Sequence, residues 1–246
     1  MTELAIIGGS GFDRLQELQI VRRQVVRTPY GETSSPLLHG VFHGREVVFL
    51  ARHGTAHTIP PHKVNYCANL WALNEIGITQ IIGVAAVGGI HEFMAPGSIV
   101  IPDQIIDYTW GRAHTYFEQD LEQVTHIDFT EPYCAELRDK LIAASVSSGI
   151  EVIPQGTYGA TQGPRLETAM EINRLERDGC DLVGMTGMPE AALARELGIC
   201  YACCSVVANW AAGRGDGPIT MTEIEANLVR GMERTRNLLS EFAARM

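Results

Sequence analysis

Short apolar runs separated by polar turns dominate the first third of the chain, and helix-period stripes alternate with such runs further on. Leu4-Ala5-Ile6-Ile7 reads as a buried strand leading into Gly8-Gly9-Ser10-Gly11. Segments 37–43 and 46–51 alternate and predict a hairpin around His43-Gly44. Residues 63–76 carry the stripe of an amphipathic helix. The run Ile81 to Ala86 is continuously apolar and ends in Gly88-Gly89, as a strand covered on both faces does. Further strands are predicted over 98–102, 151–157 and 181–185, and helices over 134–148, stopped at Gly149, and 167–178. Pro189 fits the first turn of a helix that ends at Gly198. A long buried strand, 199–207, precedes a final helix over 221–244, capped by Thr220 or Thr222. Residues 108–130 are polar and aromatic without a period and read as a long loop, a type that often carries function in compact domains. Strand and helix alternate, so the fold class is α/β with a largely buried central sheet. No repeat, low-complexity tract or linker divides residues 1–246, which read as a single domain.

Composition narrows the function classes. With 246 residues, 46% of them apolar and 20% charged, the chain can bury a sizeable core and is not disordered. A net charge of −10 argues against a nucleic-acid partner, which needs clustered cations. It leaves small anions open, because a few backbone N–H groups and one local cation hold those. No apolar run has the length of a membrane span, and Met1-Thr2-Glu3 gives no basic leader. Cysteines 67, 134, 180, 200, 203 and 204 form no regular framework and read as reduced, mostly buried thiols of a cytoplasmic protein. Cys203 and Cys204 lie among apolar neighbours and read as core, not as nucleophiles.

The candidate chemistry is anionic and purine-like. Gly8-Gly9-Ser10-Gly11 lets backbone N–H groups converge on an anion, with the Ser10 hydroxyl as a further donor; a plain tight turn is the alternative. It is no dinucleotide fingerprint, since Arg14 holds the third glycine position, and no P-loop, since Gly-Lys-Ser/Thr is absent. Arg52 at a strand exit, beside His53, suits a bidentate phosphate contact, with a rim salt bridge as the alternative. His53, His57 and His62 would bind a metal only on a helix, which Gly54 and Pro60-Pro61 oppose, so no metal is expected. Thr186 joins a strand to a helix and could donate to an anion, with Met185 under a sugar; a capping Thr and a core Met are the dull readings. Glu167 and Asn209 could read a purine edge together. A carboxylate accepts a ring N–H, and a carboxamide both donates and accepts, which matches a 6-oxopurine better than adenine.

In order and spacing these pieces resemble the purine nucleoside phosphorylase family, in its 5′-methylthioadenosine phosphorylase branch. The resemblance covers essentially the whole chain. It runs through Ile6-Ile7-Gly8-Gly9-Ser10-Gly11, residues 51–60 from Ala51 to Pro60, Lys63-Val64-Asn65-Tyr66, Gly163-Pro164-Arg165, residues 185–190 and residues 198–202. It implies one domain with a central mixed, twisted β-sheet flanked by helices. It also implies a homotrimer whose active sites lie near subunit boundaries, and phosphorolysis of a purine nucleoside with inorganic phosphate as co-substrate and no metal or organic cofactor. By matching position, Gly9, Ser10, Arg52, His53, Ala86 and Thr186 would hold phosphate and Met185 would lie under the ribose. Met221 and Ile224 would line the 5′ pocket, and His126 would reach the 5′ pocket of a neighbouring subunit.

The departures from the branch are informative. Adenosine-type members usually carry Asp-x-Asp where this chain has Asn209-Trp210-Ala211, and Phe-Ser where it has Leu166-Glu167. The Glu and Asn resemble 6-oxopurine nucleoside phosphorylases instead. Leu166 replaces an aromatic that would stack on the base, and Ala85 replaces a common Thr at the phosphate. Adenine leaves well only when protonated at N7, whereas hypoxanthine can leave with its charge spread over N7 and O6, which an amide can stabilise. The expected reaction is therefore cleavage of a 6-oxopurine nucleoside, foremost 5′-methylthioinosine. The alternatives are a methylthioadenosine phosphorylase with an atypical base site, a general inosine or guanosine phosphorylase, and a non-catalytic purine-binding trimeric scaffold.

Overall fold

A computed structural model describes residues 3–118 and 123–246. The chain opens with β1 (Leu4–Gly8), β2 (Gln19–Gln24), β3 (Leu37–Phe42) and β4 (Arg45–Ala51), followed by α1 (Tyr66–Glu75), β5 (Gln80–Gly89), β6 (Ile99–Val100) and β7 (Gln104–Asp107). Then come α2 (Ala135–Ser148), β8 (Thr157–Ala160), α3 (Ala169–Arg177), β9 (Leu182–Gly184), α4 (Gly187–Glu196), β10 (Cys200–Trp210) and α5 (Met221–Arg245). The strands form one mixed sheet in the order β2-β3-β4-β1-β5-β9-β8-β7, with β10 on β5 and β6 on β10.

Both faces of the sheet are covered, which is why its central strands are apolar throughout. Ala5 and Ile7 face one cluster with Leu70 and Leu73 of α1 and Ala191 and Ala194 of α4. Leu4 and Ile6 face the other, with Leu137 and Leu141 of α2 and Leu228, Leu239 and Phe242 of α5.

Strand β5 organises the site. Along its first half it pairs in parallel with β1, up to Ile7 opposite Gly83. Beyond that point β1 has ended, and the last residues of β5, Gly88 and Gly89, pair antiparallel with β9. On its other side β10 follows it in parallel throughout, from Cys200 opposite Gln80 to Trp210 opposite Gly89. A crevice opens where the partner of β5 changes, outside the carboxyl ends of β1 and β4, where open α/β sheets commonly bind ligands.

Local signals located most elements. The β3–β4 hairpin turns at His43-Gly44, both with positive φ (47° and 82°), the backbone of a two-residue type I′ turn. Gly149 ends α2 in the left-handed conformation, Thr168 and Glu171 form a capping box on α3, and Thr220 is the residue that caps α5. Regular helix in α4 follows the non-helical Met188, so Pro189 is at its first position. Three expectations need correction. The strand over 151–157 reduces to a single bridge, Val100 with Ile153, and the real strand begins at Thr157. The strand over 98–102 keeps only Ile99 and Val100; Pro102 and Pro154, without N–H groups, close both segments. Strands β2 and β7 were not expected, because β2 is exposed along nearly its whole length and shows no buried face. Among the described residues of 108–130 there is no helix or strand, and 119–122 lie outside the described residues.

The cysteines also depart from expectation. Cys134 and Cys200 form a disulfide, with Cα atoms 5.2 Å apart, while Cys67, Cys180, Cys203 and Cys204 are free and buried. Cys134 caps α2, and its backbone N–H donates to the carbonyl of Tyr201 at 2.8 Å, which brings two segments 66 residues apart into contact. No spacing in the sequence signals that pairing, and an argument for a reducing compartment from six free thiols loses its basis. Cys200 and Cys203 are three apart on one strand and so face opposite sides of the sheet. We expect Cys134→Ala/Cys200→Ala to lower the unfolding free energy by about 2–4 kcal/mol relative to the oxidised protein. Urea titration with and without reductant tests this. A wild-type midpoint that does not move on reduction would remove the cross-link from the account of stability.

Candidate active site

The crevice is a cavity of about 560 Å³. Gly9 and Ser10 enter it from the end of β1, Arg52 and His53 from the end of β4, and Ala85 and Ala86 from the second half of β5. Met185 and Thr186 enter between β9 and α4, Leu166 and Glu167 before α3, Asn209 and Ala211 at the end of β10, and Met221 and Ile224 from the first turn of α5. Every candidate residue named from the sequence thus lines this cavity, with one exception. His126 is exposed and lies outside it.

Arg52 is more constrained than a strand-exit cation need be. It is 1% exposed, and its Nε and Nη2 donate to the two carboxylate oxygens of Glu190, both at 2.7 Å. Nη1 donates to the carbonyl of Val84 at 2.8 Å, and the Tyr201 hydroxyl donates to Glu190 Oε1 at 2.7 Å. Burial opposes the charge of Arg52, but the Glu190 carboxylate outweighs it, so the guanidinium pKa is raised. Neither alternative from the sequence is the whole case: Arg52 sits in a buried pair, not a rim salt bridge, and still borders the cavity. Gly9 passes directly over it; a Cβ there would lie 2.7 Å from both Arg52 Nη1 and the Val84 carbonyl. The glycine is required by this close approach.

His53 is buried beside that pair. Its Nδ1 is 2.8 Å from the carbonyl of Ile59, which can only accept, so Nδ1 carries the hydrogen and Nε2 the lone pair. Burial, then the Arg52 charge, push its pKa down to about 4. Ser10 Oγ lies 3.4 Å from His57 Nε2, and His57 Nδ1 lies 2.6 Å from Asp13. The backbone at the start of α4 adds N–H groups near Thr186, which is 7% exposed. The arrangement offers an oxyanion a set of neutral donors around one guanidinium whose charge is balanced from behind.

Glu167 and Asn209 face the same space. Thr161 Oγ1 donates to Glu167 Oε1 at 2.6 Å, which fixes the carboxylate and leaves Oε2 for a ligand. Asn209 is 8% exposed, and its Nδ2 donates to the carbonyl of Trp210 at 2.7 Å, leaving a second N–H and Oδ1.

Sequence reasoning missed the residues that hold these parts in place. Arg112, in the long loop, donates from Nη1 to the carbonyls of Met185 and Met188 and from Nη2 to those of Thr161 and Gln162. It thereby ties the Glu167 segment to the Met185 segment. Its only signal was an arginine in an aromatic loop. Glu190 lay in the run 185–190 but without a role, and Asp13 and Thr161 carry no local signal.

Residues 3–244 match the model of the Phosphorylase superfamily, and the chain belongs to that family. A probable S-methyl-5′-thioinosine phosphorylase of Pseudomonas syringae is 54% identical over 240 residues, 98% of each chain. A 6-oxopurine nucleoside phosphorylase of Pyrococcus furiosus is 48% identical over 230 residues, 91% of this chain and 85% of that protein. Among solved structures, methylthioadenosine phosphorylase from Schistosoma mansoni in complex with adenine superposes with a TM-score of 0.95 at 32% identity, covering 99% of this chain and 91% of that one.

The buried imidazole of His53 has a consequence for stability. The unfolded chain takes up its proton near the ordinary histidine value of about 6.5, the folded chain only near about 4. The contribution is fully present above the unfolded value and is lost as pH falls toward the folded one. His53→Gln is expected to flatten the loss of stability between about pH 6.5 and about pH 4.5. Urea midpoints across that window decide it; identical slopes for variant and wild type would contradict the assignment.

Proposed function

We propose that the protein catalyses phosphorolysis of a 6-oxopurine nucleoside, foremost S-methyl-5′-thioinosine, to hypoxanthine and 5-methylthioribose 1-phosphate. The observation that carries the proposal is the presence of Glu167 and Asn209, without an aspartate partner at Ala211, in the cavity that also holds Ser10, Arg52, His53 and Thr186. The names of the relatives at about half identity support it, while the similar solved structures that bind adenine are more distant in sequence.

The roles follow from the chemistry. Phosphate lies among Gly9, Ser10, Arg52, His53, Ala86 and Thr186, where backbone and hydroxyl donors position it. The neutral Nε2 of His53 accepts a hydrogen from the phosphate, which orients the attacking oxygen. That oxygen attacks C1′ as the bond from C1′ to N9 breaks, and the bonding pair passes to the purine. Asn209 stabilises the charge that develops over N7 and O6. The Glu167 carboxylate accepts N1–H of hypoxanthine but would meet the bare N1 lone pair of adenine. Such a mismatch of buried polar groups is worth up to about 10⁴-fold in discrimination. Met185 packs under the ribose, Leu166 against the base, and Met221 and Ile224 offer apolar surface to a methylthio group. No metal or organic cofactor enters this scheme.

Since His126 lies outside its own chain's cavity, the proposal includes a homotrimer in which His126 serves a neighbour's 5′ pocket. Sedimentation is expected to show a trimer at assay concentration, and an active monomer would exclude shared sites. No helix among the described residues is long and apolar enough to cross a membrane. The proposal also places the enzyme in the cytoplasm, on its four free thiols; the disulfide is the feature that does not favour that location.

A substrate panel tests the reaction. Methylthioinosine, inosine and methylthioadenosine are each assayed with and without phosphate. Cleavage should require phosphate, resist chelators, and favour methylthioinosine over inosine in kcat/KM by at least about tenfold, the worth of one buried methylthio group. Asn209→Asp, with Ala211→Asp, should lower activity on methylthioinosine and raise the relative rate on methylthioadenosine. Met221→His should narrow the gap to inosine. A wild-type preference of tenfold or more for the 6-amino nucleoside would refute the base-site reading, and phosphate-independent release would refute phosphorolysis.

A further inference from the structure

Two residues of the cavity, Asp13 and His57, have no part in the scheme above, although they lead to one that does. Asp13, in the turn after β1, places Oδ1 2.6 Å from Nδ1 of His57, and Nε2 of His57 lies 3.4 Å from Ser10 Oγ. All three residues line the cavity. The second contact is long for a hydrogen bond and marks a direction more than a tight bond. The segment that carries His57 is a hydrogen-bonded turn: its N–H donates to the carbonyl of Gly54 at 3.1 Å, and that of Ile59 donates to His53 at 3.0 Å. His57 holds φ at 52°, a left-handed conformation that a non-glycine residue keeps only where the surroundings enforce it.

We infer that Asp13 and His57 form a positioning dyad that aims the Ser10 hydroxyl at the oxyanion, so that anion binding is tightest when His57 is protonated. The inference rests on the phosphorolytic reading of the cavity. A neutral His57 with its hydrogen on Nδ1, toward Asp13, presents a lone pair at Nε2. The Ser10 O–H then turns onto that lone pair and shows its own lone pairs to the anion. A protonated His57 donates at both nitrogens, to Asp13 and to Ser10 Oγ, and the Ser10 O–H is free to point at the anion.

The neighbouring charges do not supply the same effect. The charge of Arg52 is balanced by Glu190. The His53 ring lies 4.9 Å from that of His57, centroid to centroid, but is held neutral by burial and by Arg52. Glu225 of α5 and Glu167 also line the cavity, and both are carboxylates, not donors to an anion.

The test uses sulfate, whose charge is constant across neutral pH, and calorimetry, which needs no turnover. Wild-type affinity for sulfate is expected to fall roughly tenfold from about pH 6 to about pH 8, with net proton uptake on binding. His57→Gln should bind sulfate weakly and without that slope, Asp13→Asn should flatten the slope because the ring is no longer aimed at Ser10, and Ser10→Ala should lose most of it. A flat wild-type profile, an unchanged profile in His57→Gln, or a full slope in Ser10→Ala overturns the dyad. If His57→Gln does not fold, Asp13→Asn decides, because a full wild-type slope in that variant overturns it equally. Substrate turnover is scored separately. Phosphate-dependent cleavage by a wild type with flat sulfate binding sinks the dyad alone, and dyad-dependent sulfate binding without cleavage sinks the reaction alone.

Discussion

The buried pair of Arg52 and Glu190 is the interaction on which the rest of the molecule depends. Two charges taken out of water are favourable only when their geometry is good and their other donors and acceptors are filled. Here the carboxylate receives Nε and Nη2 of Arg52 and the Tyr201 hydroxyl, and the guanidinium also reaches the carbonyl of Val84. The contacts bind the exit of β4, the middle of β5, the body of α4 and the start of β10 at one point. They also dictate small residues nearby. A Cβ on Gly83 would meet the Tyr201 hydroxyl at 2.2 Å and Glu190 at 2.9 Å, and Gly9 is confined by Arg52 itself. Removing either partner would strand a charge in the core, which is typically far costlier than losing a surface pair.

Around that point the sheet sorts the site into parts. Strand β5 gives up β1 and takes β9, and the gap between those two neighbours is the cavity. Backbone and short side chains from β1, β4 and β5 make one wall. The segments after β8 and β10 bring the polar groups Glu167 and Asn209, and α5 closes the remaining side with Met221 and Ile224. Arg112 fastens the segment after β8 to the segment after β9, so that Met185 and Glu167 share a single brace.

Much of this was legible in the sequence wherever the determinant was local. The type I′ turn at His43-Gly44, the left-handed stop at Gly149 and the cap at Thr220 are each set by residues within one turn of chain. Several cavity residues were legible too, because Gly9, Ser10, Arg52, His53 and Thr186 sit at a strand exit or a strand–helix junction, whereas Ala86, Met221 and Ile224 lie inside elements and were named only through the family resemblance. What stayed hidden depends on distance in sequence. Glu190 lies 138 residues from Arg52, so no window shows that the arginine is already paired. The disulfide closes 66 residues, and Arg112 is an arginine in an aperiodic loop until the carbonyls of Met185 and Thr161 are placed beside it. Strand β2 was invisible because periodicity reports burial, and β2 has almost none.

The neutralisation of Arg52 has a consequence for the fate of products. It is the only Arg or Lys lining the cavity among the described residues, while Asp13, Glu167 and Glu225 border the same space and the chain carries a net charge of −10. Apart from a protonated His57, attraction for an anion is therefore short-ranged, built from oriented dipoles that act at contact and fade within one layer of water. A phosphorylated sugar that slips out of register meets no long-range field pulling it back, and the surrounding carboxylates speed its departure. Under the proposed reaction, such a pocket grips an anion at contact and lets it go once it is out of register.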